Sequence, residues 1–162
     1  MVDSDHEAQL RSAIEALYFG YRAFTALPDR MLAEYGLGRT HHRILYFVHR
    51  DPDLPLSELI AVLGVTKQAL HRPIKDLEER GLLRVSPDTQ DRRVRRLAVT
   101  AEGARLENRL TASQMELLDG VFAKAGKTAA KDWLRVTTLL SPDPGASADP
   151  PPRRDRRAAA QK

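Results

Sequence analysis

Cysteine is absent from the 162 residues. That excludes a disulfide framework, a thiolate metal site, a cysteine nucleophile and a thiol redox switch together. No apolar run approaches the roughly 18 to 20 residues that span a bilayer. The acidic start, Met1 to Glu7, lacks the basic and then apolar layout of a secretion signal. The expectation is a cytoplasmic protein with no membrane partner. A phosphate loop, a Gly-x-Ser-x-Gly turn and a nucleophile with an evident base partner are also missing, so no enzyme and no cofactor are expected. His41, His42 and His49 are the residues that bring metal to mind. Adjacent helical side chains point about 100° apart; His42 and His49, seven apart, could align, but no His-x-x-x-His or cysteine supports them, so no metal site is expected.

What is present fits a soluble globular chain of one domain, 42% hydrophobic and 30% charged. The net charge is only +4, but its distribution is uneven. Arg84, Arg92, Arg93, Arg95 and Arg96 stand against Asp88 and Asp91 alone, a local excess of +3. A cluster of this kind attracts a polyanion.

Leu10, Ile14, Leu17, Tyr21 and Phe24 recur at helical spacing and make one apolar stripe. Pro28 is expected to interrupt that helix, with a short second helix over Pro28 to Tyr35 closed by Gly36. Thr40 is the expected cap of a third helix carrying Ile44, Leu45 and Val48 inward, and Asp51 to Pro55 reads as a turn. Ser57 then caps a short helix ending at Leu63, Gly64 and Val65 turn the chain, and Thr66 caps the next helix, Lys67 to about Arg80, stopped by Gly81. This is helix-turn-helix spacing. Leu82 to Val85 and Val94 to Val99 are β-like runs joined by a polar tip, which makes a wing. Thr100 caps a long helix with Leu106, Leu110, Leu117 and Val121 in a nearly seven-residue repeat. Ala129, Trp133, Val136 and Leu140 mark a last helix from Lys127. From Ser141 the chain is rich in Pro, Ala, Asp and Arg, and 141–162 reads as a disordered tail.

On the helix after Thr66, Leu70 at zero puts Ile74 at about 40° and Leu77 at about −20°, the buried face. Gln68, Arg72 and Lys75 then fall at about 160°, 200° and 140°, pointing outward together, with His71 at the margin. Gln matches the adenine edge and Arg the O6 and N7 of guanine in a major groove, while Lys75 suits a phosphate. An ordinary solvated helix face would look the same in isolation. The preceding turn and the following arginine-rich hairpin favour DNA contact.

The sequence resembles the MarR family of bacterial regulators over roughly residues 8 to 140. The residues that carry the likeness are LSELIAVLGVT (56 to 66), LEERGLL (77 to 83), DTQDRR (88 to 93) and LAVTAEG (97 to 103). The resemblance implies a mainly α fold with a small β wing, a winged helix-turn-helix over about 39–99 and dimerisation helices over about 8–27 and 101–140, all in one domain, 1–140. It implies a homodimer joined through Leu10, Ile14, Leu17, Leu117, Val121, Trp133, Val136 and Leu140. It also implies duplex DNA, a pseudo-palindromic operator, as partner, contacted by Thr66, Lys67, Gln68, His71, Arg72 and Lys75. The wing motif is matched by Asp91, Arg92 and Arg93. The resemblance implies that Arg93 or Arg92 enters the minor groove, with Asp91 expected either to orient a guanidinium or only to organise the turn.

The implied role is a repressor relieved by a small aromatic effector, whose site no motif identifies; Tyr18, Tyr35, Tyr46 and the His41-His42 pair are candidates that ordinary packing also explains. A winged-helix module that binds protein is the alternative. Arg153 to Arg157 is either a second DNA contact or a solubilising tail. One departure stands out: Pro73 lies inside the recognition helix, where it removes an amide donor and crowds the carbonyl of Ala69, so a bend or break is predicted there.

Overall fold

The computed structural model describes residues 4–141, so the tail expected over 141–162, with Arg153 to Arg157, lies outside the described residues from position 142 onward. Contacts group the chain into two units, Met1–Leu117 and Leu118–Lys162. The element order is α1 (Ser4–Ala33), α2 (Arg39–Arg50), β1 (Leu54–Pro55), α3 (Leu56–Leu63), α4 (Lys67–Glu79), β2 (Leu83–Pro87), β3 (Arg95–Val99), α5 (Ala101–Ala125) and α6 (Ala129–Leu140).

The first unit is built around one apolar cluster. Leu32, Ile44, Leu45, Val48, Leu59, Leu70, Leu77, Leu97 and Leu110 are fully enclosed, drawn from α1, α2, α3, α4, β3 and α5. The inward residues expected on α2 and α4 are therefore buried, joined on α2 by His42. At about 25 cal/mol per Å² of apolar surface, this shared burial is what holds short helices that are marginal alone. The sheet is antiparallel in the order β1-β3-β2. Leu83 pairs with Val99 and Pro87 with Arg95 in the wing, and Leu54 pairs with Leu97. The two-residue β1 replaces the end of the turn expected at Asp51 to Pro55. It is too short to leave an alternating pattern, and its pairing with β3 lies some forty residues away.

Two proline expectations are corrected. α1 runs on through Pro28 as a single helix, so no separate helix starts there. The reason is that Thr25, Pro28 and Leu32 form the buried face of α1, and the ring contributes packing in place of its missing amide donor. α4 likewise continues from Lys67 to Glu79 without a break at Ala69 to Pro73. Leu70, Ile74 and Leu77, enclosed on either side of Pro73, hold both halves of α4 against the same core.

Two caps also move. α2 starts at Arg39 with Gly38 as its cap, because the His41 ring accepts the Gly38 N–H at 3.0 Å and does the work expected of Thr40. α3 starts at Leu56 after Pro55, with no side-chain cap from Ser57. α6 begins at Ala129, two residues after the expected start.

The expected turn and the other two caps hold. Gly64 closes α3 at φ 61, and Val65 N–H reaches back to the Ile60 carbonyl at 3.4 Å. Thr66 Oγ1 accepts the Ala69 N–H at 3.2 Å and starts α4. Thr100 Oγ1 accepts the Gly103 N–H at 3.0 Å and donates to the Gly81 carbonyl at 2.6 Å, tying the start of α5 to the end of α4. Gly103 has a separate role: a Cβ there would sit 2.0 Å from the Leu82 carbonyl oxygen. Only glycine fits where α5 crosses the root of the wing.

The second unit holds the remainder of α5 and α6. Phe122 and Trp133 meet edge-on at 6.3 Å between ring centres. No residue of α6 is buried.

Candidate nucleic-acid interface

α4 presents a polar face opposite Leu70, Ile74 and Leu77. Thr66, Lys67, Gln68, His71, Arg72 and Lys75 are all exposed, and the core holds α4 by the other side. Arg72 has 82% of its side chain open to solvent, with Nε donating to Asp76 Oδ1 at 2.7 Å. Lys75 lies 3.5 Å from Glu79 in an exposed, readily exchanged pair. Lys67, Gln68 and His71 have no side-chain hydrogen bond or ion pair among the described residues.

Asp76 was not foreseen as part of this face. Its Oδ2 lies 3.4 Å from His41 Nε2 on α2. The Arg72 hydrogen bond holds the Asp76 carboxyl below the usual carboxylate range against the opposing effect of desolvation, with a smaller contribution from the His41 contact. It is therefore ionised throughout the neutral range. The His41 partner is 35 residues distant in sequence, so no local pattern announces it.

The wing tip is organised by carboxylates. Asp88 Oδ1 accepts the Gln90 N–H at 2.8 Å and the Asp91 N–H at 3.0 Å, while its Oδ2 binds Arg96 Nε. The two backbone donors, then Arg96, hold Asp88 at a pKa of about 2. Arg96 also donates from Nη1 to the Asp53 carbonyl at 3.0 Å, which fastens β3 to the loop before β1. This arginine is a strut.

Asp91 instead accepts the Arg93 N–H at 3.0 Å. Of the two roles open for Asp91, the structure contains the turn-organising one, and the carboxylate that holds a guanidinium is Asp88. Arg84, Arg92, Arg93 and Arg95 are exposed and have no ion pair among the described residues. Four cationic side chains are thus free on a hairpin whose fifth is built into its frame.

This arrangement, a capped helix with a free polar face followed by a basic hairpin, has known counterparts. A MarR family model matches residues 35–94. The HTH-type transcriptional regulator PetP of Rhodobacter capsulatus is 40% identical over 134 residues, covering 83% of this chain and 81% of that protein. The chain belongs to the MarR family. It is accordingly a helix-turn-helix transcription regulator, and the family is not an enzyme class.

Solved MarR-fold structures superpose on most of its length. Streptococcus pneumoniae FabT in complex with DNA gives a TM-score of 0.71 at 15% identity, covering 83% of this chain and 94% of that one. Staphylococcus aureus MarR in complex with salicylate and kanamycin gives 0.69 at 19% identity, covering 85% and 93%. Among the described residues of this MarR protein, no helix is long and apolar enough to cross a membrane.

The residues expected at a dimer interface lie elsewhere. Leu10, Ile14 and Leu17 on α1, Leu117 and Val121 on α5, and Trp133, Val136 and Leu140 on α6 are each between 41% and 70% exposed in the single chain. Leu106 and Leu110, which share their repeat with Leu117 and Val121, go into the core instead. The tyrosines among the effector candidates each meet a different arginine. Tyr18 is exposed beneath Arg22, and the Tyr35 and Tyr46 hydroxyls accept from Arg109 at 3.2 Å and Arg50 at 3.3 Å.

His42 is buried with Nε2 unpartnered, and burial pushes its pKa down against the pull of Glu107. Glu107, also buried, accepts from Thr111 and lies 2.5 Å from His49 Nδ1. Among the described residues no group of three metal-ligating side chains comes together.

Proposed function

We propose that the protein is a cytoplasmic homodimeric repressor without catalytic activity, in which residues 1–140 act as one DNA-binding module. Two copies of α4 enter successive major grooves of a pseudo-palindromic operator about one helical turn apart, and the wings grip the flanking minor grooves. Gln68 and Arg72 read bases, Thr66, Lys67, His71 and Lys75 fix the helix on the backbone, and Arg92 and Arg93 enter the minor groove with Asp91 shaping the tip. A small aromatic effector relieves repression by binding one arrangement of the dimer better than the other. The observation that carries this reading is the coincidence of a free polar face on α4 with four unpaired arginines on the wing. The solved complexes of fold relatives with DNA and with salicylate support the choice of partners.

Selection of bound sequences from a random duplex pool tests it. The expected product is a two-fold symmetric site, bound with a steep inverse dependence on salt. On that site Arg72→Ala relaxes preference at one base pair per half-site, whereas Arg93→Ala lowers affinity across many sequences. A flat salt response with no enriched sequence would overturn the reading in favour of a protein-binding module.

A further inference from the structure

We propose that Asp76, backed by His41, is the positioning residue that aims Arg72 at its base, so that a side chain never touching DNA sets specificity at one position. The inference rests on the reading of Arg72 as a base contact. Arg72 is long and 82% exposed, and a free side chain of that kind samples many rotamers. Its Nε–H is held by Asp76 Oδ1 at 2.7 Å, one helical turn along α4. Of the five guanidinium donors this uses one, and Nη1 and Nη2 make no hydrogen bond among the described residues. The edge left open is the pair of parallel donors that matches guanine O6 and N7.

A carboxylate on a mobile surface side chain would move with the arginine and orient nothing. Asp76 is different, because only 22% of its side chain is exposed and its second oxygen faces His41 on α2. His41 is fixed in turn. The Gly38 N–H donates to Nδ1 at 3.0 Å, which leaves Nδ1 as the acceptor and places the ring proton on Nε2, the atom facing Asp76. The chain Gly38, His41, Asp76, Arg72 thus runs from the backbone cap of α2 to the recognition surface. Holding Arg72 in one direction before DNA arrives reduces the entropy lost on binding. Lys75 has no equivalent, since its partner Glu79 is as exposed as it is.

The test uses the full chain, the duplex selected by the wild type, its single-base variants and a random duplex. Arg72→Ala and Asp76→Ala are each expected to reduce discrimination at the same base pair by roughly 10-fold, within the range of one bidentate contact. The double variant loses no more than Arg72→Ala, and Asp76→Asn, whose amide oxygen can accept from Arg72 Nε only by turning its NH2 toward the His41 Nε2–H, falls between the wild type and Asp76→Ala. Affinity for random duplex does not fall in Asp76→Ala, because a negative charge has left a DNA-facing helix; a merely structural defect would lower it. His41→Ala costs about threefold at the same base pair, an effect smaller than a single hydrogen bond. If Arg72→Ala leaves every base preference unchanged, the reading of Arg72 itself fails. If Arg72→Ala relaxes one position while Asp76→Ala retains it, the inference is overturned and that reading stands.

Discussion

The winged helix and the terminal helices bury apolar surface to very different degrees. From Leu32 to Leu110 the inward positions of α2, α3, α4, β3 and α5 are enclosed by one another, many of them completely. In α1 the buried positions are Thr25, Pro28 and Leu32 near its end, in α5 they stop at Leu110, and α6 has none. Yet the terminal helices also carry apolar residues at helical spacing, Leu10, Ile14 and Leu17 in α1 and Trp133, Val136 and Leu140 in α6. A helix stripe that stays exposed within one chain is stabilised by something outside it. The contrast teaches that the winged helix is packed within a single chain, whereas the proposed dimer is what would cover the remaining apolar residues.

The largest effect comes from breaking that division. Ile14→Glu combined with Leu17→Glu places charge on a stripe that is 70% and 55% exposed in the single chain, so the fold of α2 to β3 has no reason to change. The expected product is a folded monomer by sedimentation. Its operator affinity is roughly 1,000-fold below wild type, because the second half-site no longer binds as an intramolecular event. A variant that remains dimeric would show that α1 is not part of the contact.

The same contrast explains what could be read in advance. Periodicity identified the apolar inward residues of α2 and α4, and the outward face of α4, because burial imposes that spacing directly. The glycine and threonine boundaries at Gly64, Thr66 and Thr100 were legible because each residue makes its bond within its own turn. Pro28 and Pro73 misled because the local cost of a lost amide was weighed without the tertiary packing that outweighs it. Gly38 capped by His41 was missed because histidine is not among the usual capping residues. Asp76 with His41, Asp88 with Arg96, and Leu54 with Leu97 were invisible because each joins residues that one strand or helix does not contain.

A smaller effect is expected where the winged helix is tightest. In Gly103→Ala the new Cβ meets the Leu82 carbonyl oxygen at 2.0 Å and its carbon at 2.9 Å, both backbone atoms that cannot swing aside. The start of α5 and the root of β2 must part, at a cost of about 3 kcal/mol, the upper end of ordinary overpacking. Denaturant unfolding measures it. Because Thr100 N–H also bonds that Leu82 carbonyl at 3.1 Å, the wing shifts with it and operator affinity falls while the dimer persists. Unchanged stability would mean that the crossing is looser than the core around it.

The smallest effect concerns His42, which carries the one buried side-chain polar atom left without a hydrogen bond among the described residues. His42 is enclosed with Nε2 unpartnered, and burial holds its pKa below the ordinary 6.5, although Glu107 and Asp29 pull the other way and Arg43 adds to the depression. In that window the unfolded chain binds more protons than the folded one, so the contribution of His42 to stability is complete above about 6.5 and declines as the pH falls below it. His42→Leu removes both the titration and the orphaned nitrogen. Its stability is expected to exceed that of the wild type by about 1 kcal/mol near neutrality, the low end of the cost of an unmade buried hydrogen bond. The gap should widen toward pH 5, since the other histidines are common to both proteins and cancel in the comparison. A gap that stays constant with pH would mean that His42 takes up its proton as readily in the folded core as in water.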